Sequence, residues 1–335
     1  MTEAAAAATA GGAETGEKTP PIGRKLTLEL ARVTERAAVA AAGWRGKGDE
    51  MAADLAAVEA MRDELALIDI RGTIVIGEGE RDEAPMLYVG EPVGSGEGPE
   101  VDIAVDPLEG KTLCAKNQPD SICVVVMAVR GGLLKAPDVY MTKVAIGAGY
   151  PAGLVDLDRP PLDNVRALAE AKGVPLGEIT ACVLDRPRHA ALIEELRLAG
   201  VALKLISDGD IAGVIHASNT EETGVDVYLG SGGAQEGVLA AAAMRCLGGQ
   251  MQGRLILDTP AKRERARTMG ITDPNRKYDV MDMACGDVLF AATGVTDGNL
   301  LDGVRLRPDH VVTSTLVMRS WSKTVRWIKA RHSRG

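Results

Sequence analysis

The chain is 335 residues long and acidic, with 47 Asp and Glu against 38 Lys and Arg and a formal net charge of −9 at pH 7. Nucleic acid and anionic membrane surfaces both select a surplus of positive charge, so this balance argues against either as a main partner. No run approaches the ~18 apolar residues of a membrane span, and the length suits a large buried core divided between two α/β subdomains.

Residues 1–21 are rich in Ala and Gly, lack the basic start and Leu/Ile/Val core of a secretory signal, and read as a disordered tail. Leu26, Leu30, Val33 and Ala37 recur at helical spacing and predict a first helix to about Ala42, stopped by Gly43. A glycine turn at residues 46–49 follows. A second helix carries Leu55, Val58, Met61 and Leu65 and is expected to begin close to Asp54, whose local role is then an N-cap. Strands are predicted at residues 73–76, 101–105, 122–129 and 139–146, with a loop over 90–99. Beyond Pro151 strand and helix alternate, at residues 179–184, 190–198, 201–206, 211–217, 225–229 and 238–246, which is the pattern of a mostly parallel sheet. A subdomain boundary is placed near residues 152–160, giving an N-terminal unit over 22–155 and a C-terminal unit over 156–310. Residues 311–335 are expected to hold a last strand and a basic end packing back on the body. No internal repeat is visible. Five cysteines, mostly inside apolar runs and without a C-x-x-C pair, suit reduced thiols in a cytoplasmic protein.

Two strand ends carry the most chemical information. Thr73-Ile-Val-Ile-Gly-Glu-Gly-Glu80 and Val101-Asp-Ile-Ala-Val-Asp-Pro-Leu-Glu-Gly110 are β-branched apolar runs that finish in carboxylates. Glu78, Asp106 and Glu109 converging on one volume would repel unless a hard divalent cation sat among them, and a solvated acidic turn is the alternative. The segment Gly230-Ser-Gly-Gly-Ala-Gln-Glu236 reads as a turn offering backbone N–H groups at a helix start, a cradle for phosphate or a turn that needs glycine for its geometry. Asp208-Gly-Asp210 sits where a strand meets a helix, as ligand site or as cap. Arg186-Pro187-Arg188 either grips a phosphate or forms a basic surface loop, and His189 reads as a surface residue at a helix start. The end segment with Trp321 and Trp327 reads as a packed final strand or helix with a solvated basic edge.

Together these stretches resemble the class II fructose-1,6-bisphosphatases, and more narrowly the branch that also hydrolyses sedoheptulose-1,7-bisphosphate. The resemblance runs from about Arg24 to about His332 and is strongest in residues 72–88 and 101–110, in Ala136-Pro-Asp-Val-Tyr-Met141, in Asp185-Arg-Pro-Arg-His189, in Ile206-Ser-Asp-Gly-Asp210 and in Gly232-Gly-Ala-Gln-Glu-Gly237. It implies a layered α/β sugar-phosphatase fold of the lithium-sensitive phosphatase type, Mg²⁺ or Mn²⁺ as cofactor, a small-molecule sugar bisphosphate as substrate and a homo-oligomer, dimer or tetramer. It assigns Asp54 and Glu78 to one metal and Asp106, Glu109 and Glu236 to another, which displaces the N-cap reading of Asp54. Glu109, Gly110, Lys111, Tyr140, Arg186, Pro187, Arg188, Asp208, Gly209, Asp210 and Gly233 match substrate-binding positions, and Glu80 would support the nucleophile.

The family pattern after the metal-binding turn is Glu-Gly-Thr, and this chain has Lys111 in the threonine position, with Thr112 next. An ammonium has no acceptor lone pair and cannot act as the hydroxyl does. Two rival readings follow: a non-catalytic sugar-phosphate-binding homologue, or a phosphatase for another phosphomonoester such as an inositol phosphate.

Overall fold

Residues 22–80 and 84–334 are described by the computed structural model; the expected tail over 1–21 lies outside them. The first helix, α1 (Leu26–Ala42), buries Leu30, Val33, Ala37 and Ala38 along one stripe, as the spacing predicts. The second, α2 (Glu50–Leu65), begins earlier than predicted. Its N-cap is Asp49, whose carboxylate accepts from the Ala52 N–H at 2.9 Å, so Asp54 is an interior residue of the helix and caps nothing. Between the two, the N–H groups of Gly46 and Gly48 donate to the carbonyls of Cys114 and Ala115, each at 2.9 Å.

The chain then lays down β1 (Arg71–Ile76), β2 (Pro92–Val93), β3 (Glu100–Glu109), α3 (Lys111–Ala115), β4 (Ile122–Val129) and β5 (Tyr140–Ile146). Next come α4 (Pro161–Lys172), β6 (Thr180–Leu184), α5 (Ala190–Leu198), β7 (Ala202–Ile206), α6 (Asp210–His216), α7 (Thr220–Thr223), β8 (Val227–Gly233) and α8 (Ala234–Leu247). The last elements are β9 (Gln250–Leu255), α9 (Pro260–Thr268), β10 (Tyr278–Asp279), α10 (Val280–Met283), β11 (Val288–Gly294), β12 (Arg305–Leu306), β13 (His310–Arg319) and β14 (Thr324–Ser333).

One sheet runs β12-β13-β11-β4-β3-β1-β2, with β14 added to β13; within it only β1 and β3 are parallel. The other runs β10-β9-β5-β8-β6-β7 and is mixed rather than mostly parallel. The strand–helix alternation does produce parallel pairs, β6 with β7 and with β8, but β5 from earlier in the chain lies antiparallel between β8 and β9. A second correction concerns residues 230–233. They continue β8, paired with residues 140–143 of β5, and the helix starts directly at Ala234, so no turn intervenes.

Period-two alternation sorts each strand's side chains into two separate cores. In β3 and β4, Ile103, Val105, Cys123, Val125 and Met127 face α1 and α2, while Ala104, Val124, Val126 and Ala128 face α8. The second sheet turns Met141, Ala145 and Tyr228 toward that same inner layer and Val144, Val183 and Leu229 toward α4 and α5. The order is therefore helix, sheet, helix, sheet, helix. Every residue of α8 from 237 to 244 is buried, as a helix enclosed by two sheets must be, and the run of alanines lets both sheets approach it. All five cysteines are free, four buried and Cys285 partly exposed. Among the described residues no helix is long and apolar enough to cross a membrane.

Candidate active site

Because β1 and β3 are parallel neighbours, their carboxyl ends lie side by side. Instead of stopping at Val105, β3 continues to Glu109 through a shift of register against β4, in which residues 106–109 span the stretch opposite 122–124. The bulge at Pro107, a residue without an N–H to give the ladder, brings both Asp106 and Glu109 to the same end of the sheet. Gly110 then ends the strand with φ +76°, a left-handed conformation, and its missing Cβ would lie 2.8 Å from Leu113 Cδ1. From the second sheet come the N-termini of α6 and α8 and the end of β6. These ends enclose a cleft of about 550 Å³, lined among others by Glu78, Glu80, Asp106, Glu109, Gly110, Lys111, Thr112, Tyr140, Arg186, Arg188, Asp208, Asp210, Gly233 and Glu236.

The cleft is crowded with carboxylates. Glu109 is buried; its Oε1 accepts from the Ile211 N–H at 2.6 Å, and its Oε2 has no partner. Burial, then the neighbouring Asp106, holds its pKa well above the ordinary glutamate value. Burial, then Glu236 and Glu78, does the same to Asp106. Glu236 is raised by burial despite the opposing charge of Lys143, and Glu78 by burial against the pull of Lys111. Gly233 leaves room for Glu236, since a Cβ there would fall 1.8 Å from Glu236 Oε2.

Basic groups line the same cleft. Arg188 donates from Nε and Nη2 to the Ser231 carbonyl, at 3.1 and 2.8 Å, and its guanidinium lies 4.7 Å from the centre of the half-exposed Tyr140 ring. Arg186 Nη2 is 3.9 Å from Asp208 Oδ1. Burial raises the pKa of Asp208. His189 is not a surface residue. It is buried, with Nδ1 bonded to the Leu184 carbonyl at 2.8 Å and Nε2 accepting from the Ser231 N–H at 2.8 Å, and burial lowers its pKa, so it is a neutral strut beneath Arg188.

Three expected residues do not line the cleft. Pro187 opens a short helical turn, Pro187–His189, behind it; Gly209 is the left-handed cap of α6; and Asp54 projects from α2 to meet Lys111. Others were missed by sequence reasoning. Lys143, wholly buried in β5, bonds Asp210 and donates to the Gly233 carbonyl at 2.6 Å, and Glu50, Asp138, Gln235 and Arg265 also line the wall. The visible signal for Lys143 is a lysine inside an otherwise apolar strand, which is costly unless it is paired.

Among the described residues no three His, Cys, Asp or Glu side chains are already gathered as a cage for a metal ion. The donor chemistry nevertheless fits a hard divalent cation: oxygen donors only, with Glu109 Oε2 buried and unpartnered beside Asp106 and Glu236. The pair Asp54 and Glu78 differs, because the Lys111 ammonium lies 2.7 Å from Asp54 Oδ2 and 3.6 Å from Glu78 Oε2.

Carboxylates and guanidinium groups lining one cleft between two sheets suit hydrolysis of a phosphate ester. Comparison with known proteins narrows this. The sequence model described as bacterial fructose-1,6-bisphosphatase, glpX-encoded, matches residues 24–332, and the chain belongs to that family. It is 46% identical over 333 residues to the D-fructose 1,6-bisphosphatase class 2/sedoheptulose 1,7-bisphosphatase of Synechococcus sp. (strain JA-3-3Ab), covering 92% of this chain and 95% of that protein. The protein of the same name from Prochlorococcus marinus (strain NATL1A) is 44% identical over 323 residues, covering 92% and 96%.

Proposed function

We propose that this chain hydrolyses the 1-phosphate of fructose-1,6-bisphosphate, and of sedoheptulose-1,7-bisphosphate, to the monophosphate and inorganic phosphate. The observation that carries the reading is that one cleft is lined both by the carboxylates Asp106, Glu109 and Glu236 and by the guanidinium groups of Arg186, Arg188 and Arg265. A bisphosphate matches both sets of groups. Its far phosphate is gripped by the arginines, Arg188 being oriented by Ser231 and Tyr140. Asp208 and Asp210 accept from sugar hydroxyls, and the scissile phosphate sits by Gly110 and Lys111.

Asp106, Glu109 and Glu236 hold a divalent cation, Mg²⁺ or Mn²⁺, which when bound neutralises phosphate charge and acidifies water. Thr112 orients the attacking water and Glu80 takes up its proton. The Lys111 ammonium faces the phosphate as a point charge; burial works against that charge, and Glu78 and Asp54 outweigh it, so its pKa stands above the ordinary lysine value. The five-layer order supports a fold of the lithium-sensitive phosphatase type. A cytoplasmic homo-oligomer, dimer or tetramer, completes the reading and is checked by light scattering on a sizing column.

The test is release of inorganic phosphate from both sugar bisphosphates, with inositol phosphate as a comparison, in Mg²⁺ and in Mn²⁺. Release no faster than from a Glu109→Gln variant would sink the proposal.

A further inference from the structure

Lys111 owes its position to Gly110. The left-handed glycine stops β3, so residue 111 opens α3 and its side chain reaches back to α2 and to the end of β1. There Nζ donates to Asp54 Oδ2 at 2.7 Å and lies 3.6 Å from Glu78 Oε2. Those carboxylates come from separate elements and would repel each other without positive charge between them. Asp54 Oδ1 is buried and unpartnered, so the pair still has an acceptor to offer. The Lys111 side chain is 42% exposed, on the cleft side, and so meets both the carboxylate pair and the cleft volume.

We propose that the Lys111 ammonium is the permanent cation of the Asp54–Glu78 position, so that this chain binds one divalent ion fewer than a counterpart with a hydroxyl residue at 111. The two occupants exclude each other. A divalent ion coordinating Asp54 and Glu78 must displace the ammonium and then leave it, on its tether, beside a doubly charged neighbour. Being covalently attached, the ammonium is present at any metal concentration and is not removed by a chelator. It carries one charge rather than two and has donors but no vacant coordination position for water. Its part at the scissile phosphate is therefore electrostatic.

The inference rests on the proposed phosphatase reading, and counting bound metal separates the two. Equilibrium dialysis against Mn²⁺ followed by metal analysis gives ions per chain for the full-length protein and its variants. The wild type is expected to bind one ion, lost in Glu109→Gln and kept in Asp54→Asn, because Asp54 is engaged by lysine. Lys111→Thr is expected to bind a second ion, which adding Asp54→Asn removes again. Lys111→Met, which brings no oxygen of its own, shows the same gain and serves if the threonine variant fails to fold. Equal counts in the wild type and the Lys111 variants overturn the inference, as does loss of the wild-type ion on Asp54→Asn. In either case an ion that Glu109→Gln abolishes leaves the phosphatase reading standing. A wild type that binds no Mn²⁺ overturns both.

Discussion

Lys143→Met isolates a buried charge whose partners are all visible. The side chain is 0% exposed and that of Asp210 is 9% exposed; the ammonium also donates to the Gly233 carbonyl. Methionine keeps the aliphatic stem, so the variant removes charge without opening a large cavity. What remains is a buried carboxylate that has lost its counter-ion and whose Oδ1 already lacks a partner. Breaking one side of such a pair costs about 3–5 kcal/mol, and the orphaned Gly233 carbonyl adds about 1 kcal/mol. At about 1.4 kcal/mol per decade the folding constant falls by at least two orders of magnitude. Urea unfolding measures this as a lower midpoint at unchanged slope. The companion chain Lys143→Met/Asp210→Asn, with neither charge, should recover about half of the loss, and with the separate cost of Asp210→Asn added the coupling energy exceeds about 2 kcal/mol. A single variant costing under about 1 kcal/mol, or a double variant whose loss is the plain sum of the two singles, would refute the idea that these groups hold each other in place.

Three further outcomes are expected. Gly233→Ala places a methyl against the Glu236 carboxylate while the backbone, at φ −59° and ψ 145°, accepts alanine; kcat should fall about 100-fold with melting temperature nearly unchanged, and wild-type kcat would contradict it. Arg188→Lys loses the paired bonds to Ser231 and the stacking on Tyr140, so KM for the bisphosphate should rise about tenfold with kcat kept, and steady-state kinetics decide. His216 is buried with neither ring nitrogen bonded, and burial, with nearby Lys204 second, pushes its pKa down to about 4 from 6.5. The unfolded chain therefore takes the proton first. Stability is full above pH 6.5 and falls by about 3 kcal/mol as the pH drops to about 4, a loss that His216→Leu should remove; parallel stability–pH curves for the two chains would dismiss this.

The elements legible in the sequence were those whose burial is one-sided or complete. The apolar run of β4 and the helix α5 begin and end where periodicity puts them, at Ile122–Val129 and Ala190–Leu198. Helix α9 escaped because its nine residues include a single buried one, Ala266, and no apolar stripe. In β9 the alternation is present, but its outward residues are Gln and Arg and its inward ones include Gly253. The strand ends with Glu78, Asp106 and Glu109 were visible because carboxylates after β-branched runs lie at a sheet edge. The roles of Lys143 and His189 were not, since each is defined by partners far along the chain, Gly233 and Ser231, that only the pairing of β5 and of β6 with β8 brings near. Residues 230–233 misled because glycines suggest a turn, whereas here they leave space for Asp210 and Glu236 within a strand.

Helix α8 couples chemistry to packing. Its first turn carries Glu236, and a few residues on it becomes the shared filling between the two sheets whose ends supply the opposite walls of the cleft. The spacing between those walls is thus set by the girth of a helix built largely of alanine. Enlarging a side chain there, as in Ala241→Val, would wedge the sheets apart and separate the groups that grip the two ends of one substrate. Turnover should register such a change before thermal stability does, which makes catalytic rate the finer gauge of how closely this interior fits.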